Sequence, residues 1–421
     1  MDASSRSRRR SAAASLGRRD ARIFIASSAI GSFGLGVAGF YLNFLYRALG
    51  LGETEIGALA AALALGGIFG ALPAALLPRH LSRRGSVIVG GGVTATGLIG
   101  ILSFESLGPL LASAAGLGAG GIVVASSGSA LIADATSGSE RSRMFGRQIA
   151  LGTIAAFLAA FIAGALAAPV AAALGFAPAD ANTVRALIGG GGLVAALSAI
   201  PALMLAAPPV ARGGHERAVR FRLLGRFLVL DAIFGFGAGS FLPFLNLFLA
   251  DRFGLAFIEI GIAMGVIAVG GSLGAYLHAR LVAARLGDVR GVVVVELASL
   301  PFAALAALAA GPLVAVIALA ARAGLMYGAS ATIGAFTHAS FAPSERAGAQ
   351  AILHLAWAAG NAAAAGVSGL VRSALGPAGY TVNLFTLIAA YGLAAALTWV
   401  LFRAHEPRGD ALAHPAPHSS P

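Results

Sequence analysis

The chain has 421 residues, of which 58% are hydrophobic and only 11% charged, with a formal net charge of +12 and no cysteine. Soluble globular chains carry roughly 25% charged residues, so at a mean hydropathy of +0.86 this apolar excess has to face something other than water, and lipid is the ordinary solvent for it. The lack of cysteine excludes disulfides, iron–sulfur clusters and cysteine-based zinc sites. All 29 basic residues are arginines lying in short clusters between long apolar runs, which reads as membrane orientation; no basic segment is long enough for a nucleic-acid reading domain.

Residues 1–22 are polar and arginine-rich. They read as a retained cytoplasmic tail and not a cleaved signal, because the apolar segment from Ile23 is too long and lacks an A-x-A-type cut site. A spanning helix needs about 20 mainly apolar residues, and twelve such stretches follow in order: 23–46, 55–77, 87–104, 108–133, 146–167, 184–206, 227–249, 258–279, 291–310, 313–336, 347–370 and 379–402. The 58 glycines suit membrane helices, where small residues permit close approach, as in the pairs Gly66–Gly70 and Gly270–Gly274. Between spans six and seven, 207–226 is rich in Pro, Gly and charge and reads as a cytoplasmic linker. After Arg403 the tail 404–421 is polar and proline-rich, the composition of a disordered segment.

With the N-terminal side taken as inner, twelve spans put 24 arginines in inner segments and four (Arg47, Arg185, Arg252 and Arg372) in outer ones, with Arg322 left inside a span. The positive-inside rule then places both termini in the cytoplasm of a cell (plasma or inner) membrane.

The two halves repeat each other. GLGETEIG at 50–57 matches GLAFIEIG at 254–261 at an offset of 204, and the same offset carries Gly66, Gly67 and Gly70 onto Gly270, Gly271 and Gly274. Ser139-Glu140-Arg141 maps onto Ser344-Glu345-Arg346 one residue later. The expected architecture is all-α, with six-helix bundles at 23–206 and 227–403 in parallel orientation and a site at their interface.

Several stretches resemble the major facilitator superfamily of transporters, over roughly residues 23–403. FYLNFLYRALGLGETEIG at 40–57 is similar to the family's first helix and outer loop, and LIADATSGSERSRMFGRQ at 131–148, with its partner ASFAPSERAGAQ at 339–350, to its acidic–arginine turns. LPRHLSRRG at 77–85 supplies the basic pair of the family's loop between helices 2 and 3 as Arg83 and Arg84, with Arg79 and Ser82 where that signature has Asp and Gly. The second copy, ARLGDVRG at 284–291, keeps Arg285 and Arg290. The resemblance implies two bundles rocking about a central site, driven by an ion gradient or by the solute's own gradient. No phosphate-binding G-x-x-x-x-G-K-[ST] loop is present for ATP hydrolysis.

Candidate functional residues follow from polarity at depth. Arg322 lies ten residues past Pro312, about 15 Å into a core of about 30 Å. A charge that cannot be shed there must face a wet cavity or a structural partner. Asp231 and Glu296 are shallower. Each is a partner for Arg322, an inner-interface residue, or a protonatable ion-coupling group. Asn43, Asn246 and Tyr327 fall in helices that line the path in the resembled family, and otherwise serve as interhelical hydrogen bonders. His354 and Asn361 are further polar positions. Arg83, Arg84, Glu140, Arg141, Arg285, Glu345 and Arg346 sit at inner helix ends, as cytoplasmic gate clasps or as topology signals. The expected function is secondary transport of a small solute by alternating access. Proton-coupled efflux is one form, an uptake permease or facilitator another. A membrane-embedded enzyme or a transport-dead sensor is the reading from another class, but no DxxD or HExxH pattern supports an enzyme. The bilayer, the solute and protons are the expected partners of a chain acting as a monomer, with no nucleic acid, cofactor or metal.

Overall fold

A computed structural model describes residues 3–135, 138–206, 221–281, 283–286, 288–341 and 345–403. Its helices are α1 (Ala3–Ala48), α2 (Glu53–His80), α3 (Arg83–Ser103), α4 (Leu107–Ala135), α5 (Gly138–Leu174), α6 (Ala181–Leu197), α7 (Ala199–Leu203), α8 (Phe221–Phe241), α9 (Leu245–Phe253), α10 (Phe257–Leu281), α11 (Ala283–Leu286), α12 (Asp288–Leu308), α13 (Pro312–Ser340), α14 (Arg346–Leu375) and α15 (Ala378–Phe402). Among the described residues there is no strand, as lipid requires of a chain that must satisfy its own backbone. Among the described residues, eleven helical segments are long and apolar enough to cross a membrane. The long helix outside that set is α14, whose polar residues include Gln350, His354, Asn361 and Arg372. The fold class is the all-α membrane architecture expected. α1 begins at Ala3, within the segment read as a tail, and α8 takes up the last residues of the expected linker. Residues 207–220 and 404–421 lie outside the described residues.

Two passes are broken, and each break is repaired by a side chain from α1. α8 stops at Phe241 and a 3-10 turn, Leu242–Phe244, carries Pro243. Proline supplies no N–H to continue the helix, and Asn43 Nδ2 donates to the carbonyl of Pro243 itself at 2.7 Å. α6 gives way to α7 at Ser198, whose carbonyl accepts from the Ser27 hydroxyl at 2.7 Å.

The sequence repeat is visible as paired local structure. Glu55 accepts from the Gly52 N–H at the start of α2, and Glu259 accepts from the Ala256 N–H at 2.7 Å at the start of α10. Each of these one-way caps satisfies a donor that a helix start leaves free. The glycine closing each EIG motif sits where the helices of the first half (α1–α7) meet those of the second (α8–α15). A Cβ on Gly57 of α2 would lie 2.7 Å from the Gly369 Cα of α14, and one on Gly261 of α10 would lie 2.5 Å from the Ala160 carbonyl of α5. Two backbone seams, α2–α14 and α5–α10, thus join the halves with no side chain between them, the geometry that small residues allow in lipid.

The apolar core is arranged unequally along the helices. At the ends far from the linker, one cluster runs through both halves, from Tyr41, Leu45 and Ile56 to Phe244, Phe248 and Leu384. At the linker end it divides. Phe24, Leu131 and Met144 belong to a cluster made by the first half alone, and Phe227, Phe341 and Phe402 to one made by the second half alone. The halves therefore share a core at one face and keep separate cores at the other.

Leucine at Gly57 or at Gly261 is expected to cost about 1–3 kcal/mol, as overpacking does, and to lower the melting temperature of the purified chain in detergent. Gly67→Ala, at which an added Cβ meets nothing within 4 Å, should leave it unchanged. Equal melting of all three variants would contradict the two-seam description.

Candidate functional site

The face away from the linker is closed by polar groups that the helix ends present to one another. Arg47 lies in the last turn of α1, Arg372 in the last turn of α14 and Glu53 in the first turn of α2, each at the terminus that its charge suits. Asp251 lies near the C-terminus of α9, where the helix dipole disfavours an anion, so it depends on donors. Arg47 supplies two, at 2.6 and 2.9 Å, and the Tyr380 hydroxyl a third at 2.6 Å. The same guanidinium reaches Glu53 at 2.6 Å, and the other Glu53 oxygen accepts from Arg372. Arg372 is 1% exposed, with its guanidinium carbon 3.9 Å from the centroid of the Phe244 ring and 5.4 Å from that of Tyr380. The result is a continuous chain, Arg372–Glu53–Arg47–Asp251–Tyr380, that crosses between the halves twice.

One turn deeper, Asn43 of α1 donates to Asn246 Oδ1 of α9 at 2.9 Å, and Asn246 Nδ2 donates back to the Phe40 carbonyl at 2.9 Å. The Leu247 N–H also donates to that Asn246 oxygen, at 2.9 Å. Phe40, Tyr41 and Phe44 pack edge-on around Phe257 of α10, with centroids 4.8–6.4 Å apart. Below the ionic chain lies this amide and aromatic layer, so the face is closed both by polar bonds and by packed rings.

Towards the linker end a cavity of about 370 Å³ opens among α8, α12, α13, α14 and α15, so among the described residues its walls come from the second half alone and not from both halves as the repeat led us to expect. Asp231 and Glu296 line it, together with Gln350, His354, Ser330 and Thr337. Its rings are Phe227, Phe234, Trp357 and Tyr391, with His354 stacked on Trp357 at 6.0 Å and 15°. His354 and Ser330 are exposed, so the cavity reaches the molecular surface. Glu296 is 1% exposed and its Oε2 has no hydrogen-bond partner among the described residues.

The structure distributes the residues singled out from sequence over three places. Asp231, Glu296 and His354 come together in the cavity. Asn43 and Asn246 bond to each other in the closed layer. Arg322 lies just behind the cavity wall, 4% exposed, with its guanidinium carbon 5.1 Å from the centroid of the Tyr391 ring. Its Nε and Nη2 have no partner among the described residues, and it makes no ion pair with Glu296. Tyr327 turns outward, 64% exposed, its ring against Gly271. Asn361 offers its backbone to a close approach by Gly239 of α8. At the linker end Arg84 reaches the Leu205 carbonyl at 3.4 Å, Arg285 is exposed and Glu345 is buried at the start of α14. The side chains of Arg83, Glu140, Arg141 and Arg346 fall outside the described residues.

Sequence reasoning missed the ionic chain. Arg47 and Arg372 stood out only as outer arginines, yet Arg47 and Asp251 are separated by 204 residues, the offset of the repeat. The aromatic lining was also missed, because rings spread over 165 residues from Phe227 to Tyr391 form no local pattern.

The model of the family described as Major Facilitator Superfamily matches residues 24–328. Among solved structures, the chain is similar to a bacterial homolog of the human lysosomal transporter Spinster in an inward-facing, unoccupied conformation. The TM-score is 0.72 at 15% identity, covering 92% of this chain and 97% of that one. It is also similar to the nucleoside transporter NupG, with a TM-score of 0.68 at 15% identity over 92% and 100% of the two chains. A bacterial homologue of the iron transporter ferroportin in an inward-facing state gives a TM-score of 0.66 at 17% identity over 90% and 98%. No curated protein sequence matches the chain. These likenesses carry the fold, and the family places the chain among transporters and not enzymes. The chain belongs to the Major Facilitator Superfamily.

Proposed function

We propose that this protein is a secondary transporter whose bundles, 23–206 and 227–403, rock about the seams α2–α14 and α5–α10, with the linker face in the cytoplasm. The division of the apolar core carries this reading: the core is continuous between the halves at one face and separate in each half at the other. A solute would enter from the linker face to the cavity around Asp231 and Glu296, with passage onward blocked by the Asn43–Asn246 layer and the Arg47 ion pairs. The arginine bias of the inner segments supports the sidedness.

Protons are the proposed coupling ion, and export of the solute the proposed direction. Asp231 and Glu296 make no ion pair among the described residues, and carboxylates in a membrane cavity are typical proton-relay groups. The titratable or charged side chains facing them are His354 from α14, Tyr391 from α15 and Arg322 from α13.

Because the chain has no cysteine, single introduced thiols report access directly. A cysteine at Trp357 should react with an impermeant thiol reagent from the linker face, and one at Phe44 should be protected. Glu53→Gln strands the buried Arg372 guanidinium, a change of about 3–5 kcal/mol for a broken buried pair. It should reverse the pattern, exposing position 44 from the far side and protecting position 357. Labelling that rises or falls at both positions together would sink alternating access. For the coupling ion, infrared titration of the reconstituted protein should show carboxyl bands of Asp231 and Glu296 that vanish one at a time in Asp231→Asn and Glu296→Gln. Difference spectra unaltered by either substitution would remove the proton role.

A further inference from the structure

The cavity also bears on the class of solute. We propose that it takes a monovalent organic cation with a flat, apolar body; this deepens, and rests on, the transport reading above.

The first ground is charge. Two carboxylates, Asp231 and Glu296, line the cavity, and Arg322 is the counter-charge beside them. Two negative groups against one guanidinium leave one negative charge over when both acids are ionised. An uncompensated charge at membrane depth is costly, and Glu296 Oε2 is buried with no partner among the described residues. A solute bearing one positive charge supplies the missing compensation.

The second ground is access. Arg322 is absent from the cavity lining, is 4% exposed and has the Tyr391 ring against its guanidinium. Within the cavity lining an anionic solute, once past the arginines of the linker end, meets two carboxylates and no basic group other than His354, which is stacked on Trp357. An amino-acid-like zwitterion meets the same obstacle at its carboxylate. Arg322 therefore serves as a fixed counter-charge behind the wall, and not as an anion anchor.

The third ground is the lining itself. Phe227, Phe234, Trp357 and Tyr391 line the same cavity as the two acids. Aromatic faces attract cations within about 6 Å and reward desolvated ones most. The volume of about 370 Å³ holds a one-ring or two-ring amine and falls in the usual range of small-molecule sites.

Phenyltrimethylammonium and benzenesulfonate, similar in size and opposite in charge, separate the possibilities. Equilibrium dialysis of the purified full chain in detergent should show saturable binding of the ammonium probe and none of the sulfonate. Asp231→Asn and Glu296→Gln should each weaken ammonium binding at least tenfold. Arg322→Gln removes the counter-charge and should strengthen it several-fold, a gain that misfolding would not produce. Preference for the sulfonate, no saturable ammonium binding by the wild type, or equal ammonium affinity in all three variants would overturn the proposal. The thiol-labelling pattern at positions 44 and 357 is measured without any solute, so failure of the cation assignment and failure of alternating access are told apart.

Discussion

A guanidinium with 1% exposure in lipid, Arg372, is the constraint on which the closed face depends. Arginine cannot shed its proton, and its burial is tolerable only with an anion in contact. Glu53 is that anion, and it comes from the other half of the molecule. Glu53 shares its second oxygen with Arg47, and Arg47 shares itself with Asp251. Each member is therefore held by a partner that is itself held, so the network opens as a unit or remains shut. The rings of Phe244 and Tyr380 lie 3.9 and 5.4 Å from the Arg372 guanidinium carbon, and low dielectric strengthens the attraction of the buried group to its anion.

The pseudo-symmetry of the chain explains why a lock and a hinge occupy the same face. Gly57 against Gly369 and Gly261 against Gly164 are the same contact made twice. Glu55 and Glu259 cap the same helix start twice. Asn43 and Asn246, 203 residues apart, bond across the approximate axis, as do Arg47 and Asp251. The departures from symmetry are as informative. Counting 204 residues on from Glu53 reaches Phe257, and counting 205 back from Arg372 reaches Ala167. One seam is thus closed by an ion pair. The other is closed by Phe257 among Phe40, Tyr41 and Phe44.

Much of the fold was legible in the sequence, because lipid imposes simple rules on length and polarity. The twelve apolar stretches reappear as helices, eleven of them apolar enough to cross a membrane among the described residues, and the repeat at offset 204 as matched caps and glycine contacts. The site was less legible, since its partners are far apart in the chain; Glu53 and Arg372 are separated by 319 residues. Depth can be counted along a helix, but direction is easily lost. Tyr327 is five residues past Arg322, about 140° round the helix at 100° per residue, and faces out. Met326, four residues past, faces the cavity. Arg322 itself had the expected depth, and only the position of Tyr391 decides that it lies behind the wall. Asn43 and Asn246 were recognisable as buried polar groups, but the broken helix at Pro243 that occupies Asn43 has no sequence signature beyond one proline.

The central claim is that the halves are tied at the face away from the linker and must part there for the site to change sides. The most direct measurement is crosslinking of Asn43→Cys to Asn246→Cys by a short bifunctional thiol reagent in membranes, followed by spin-label distances between Arg147 and Arg226, both exposed at the linker end. The account predicts near-complete crosslinking, after which the linker-end distance collapses to a single, long, open population. Failure to crosslink, or a linker end that still exchanges between open and closed with positions 43 and 246 tied, would contradict it.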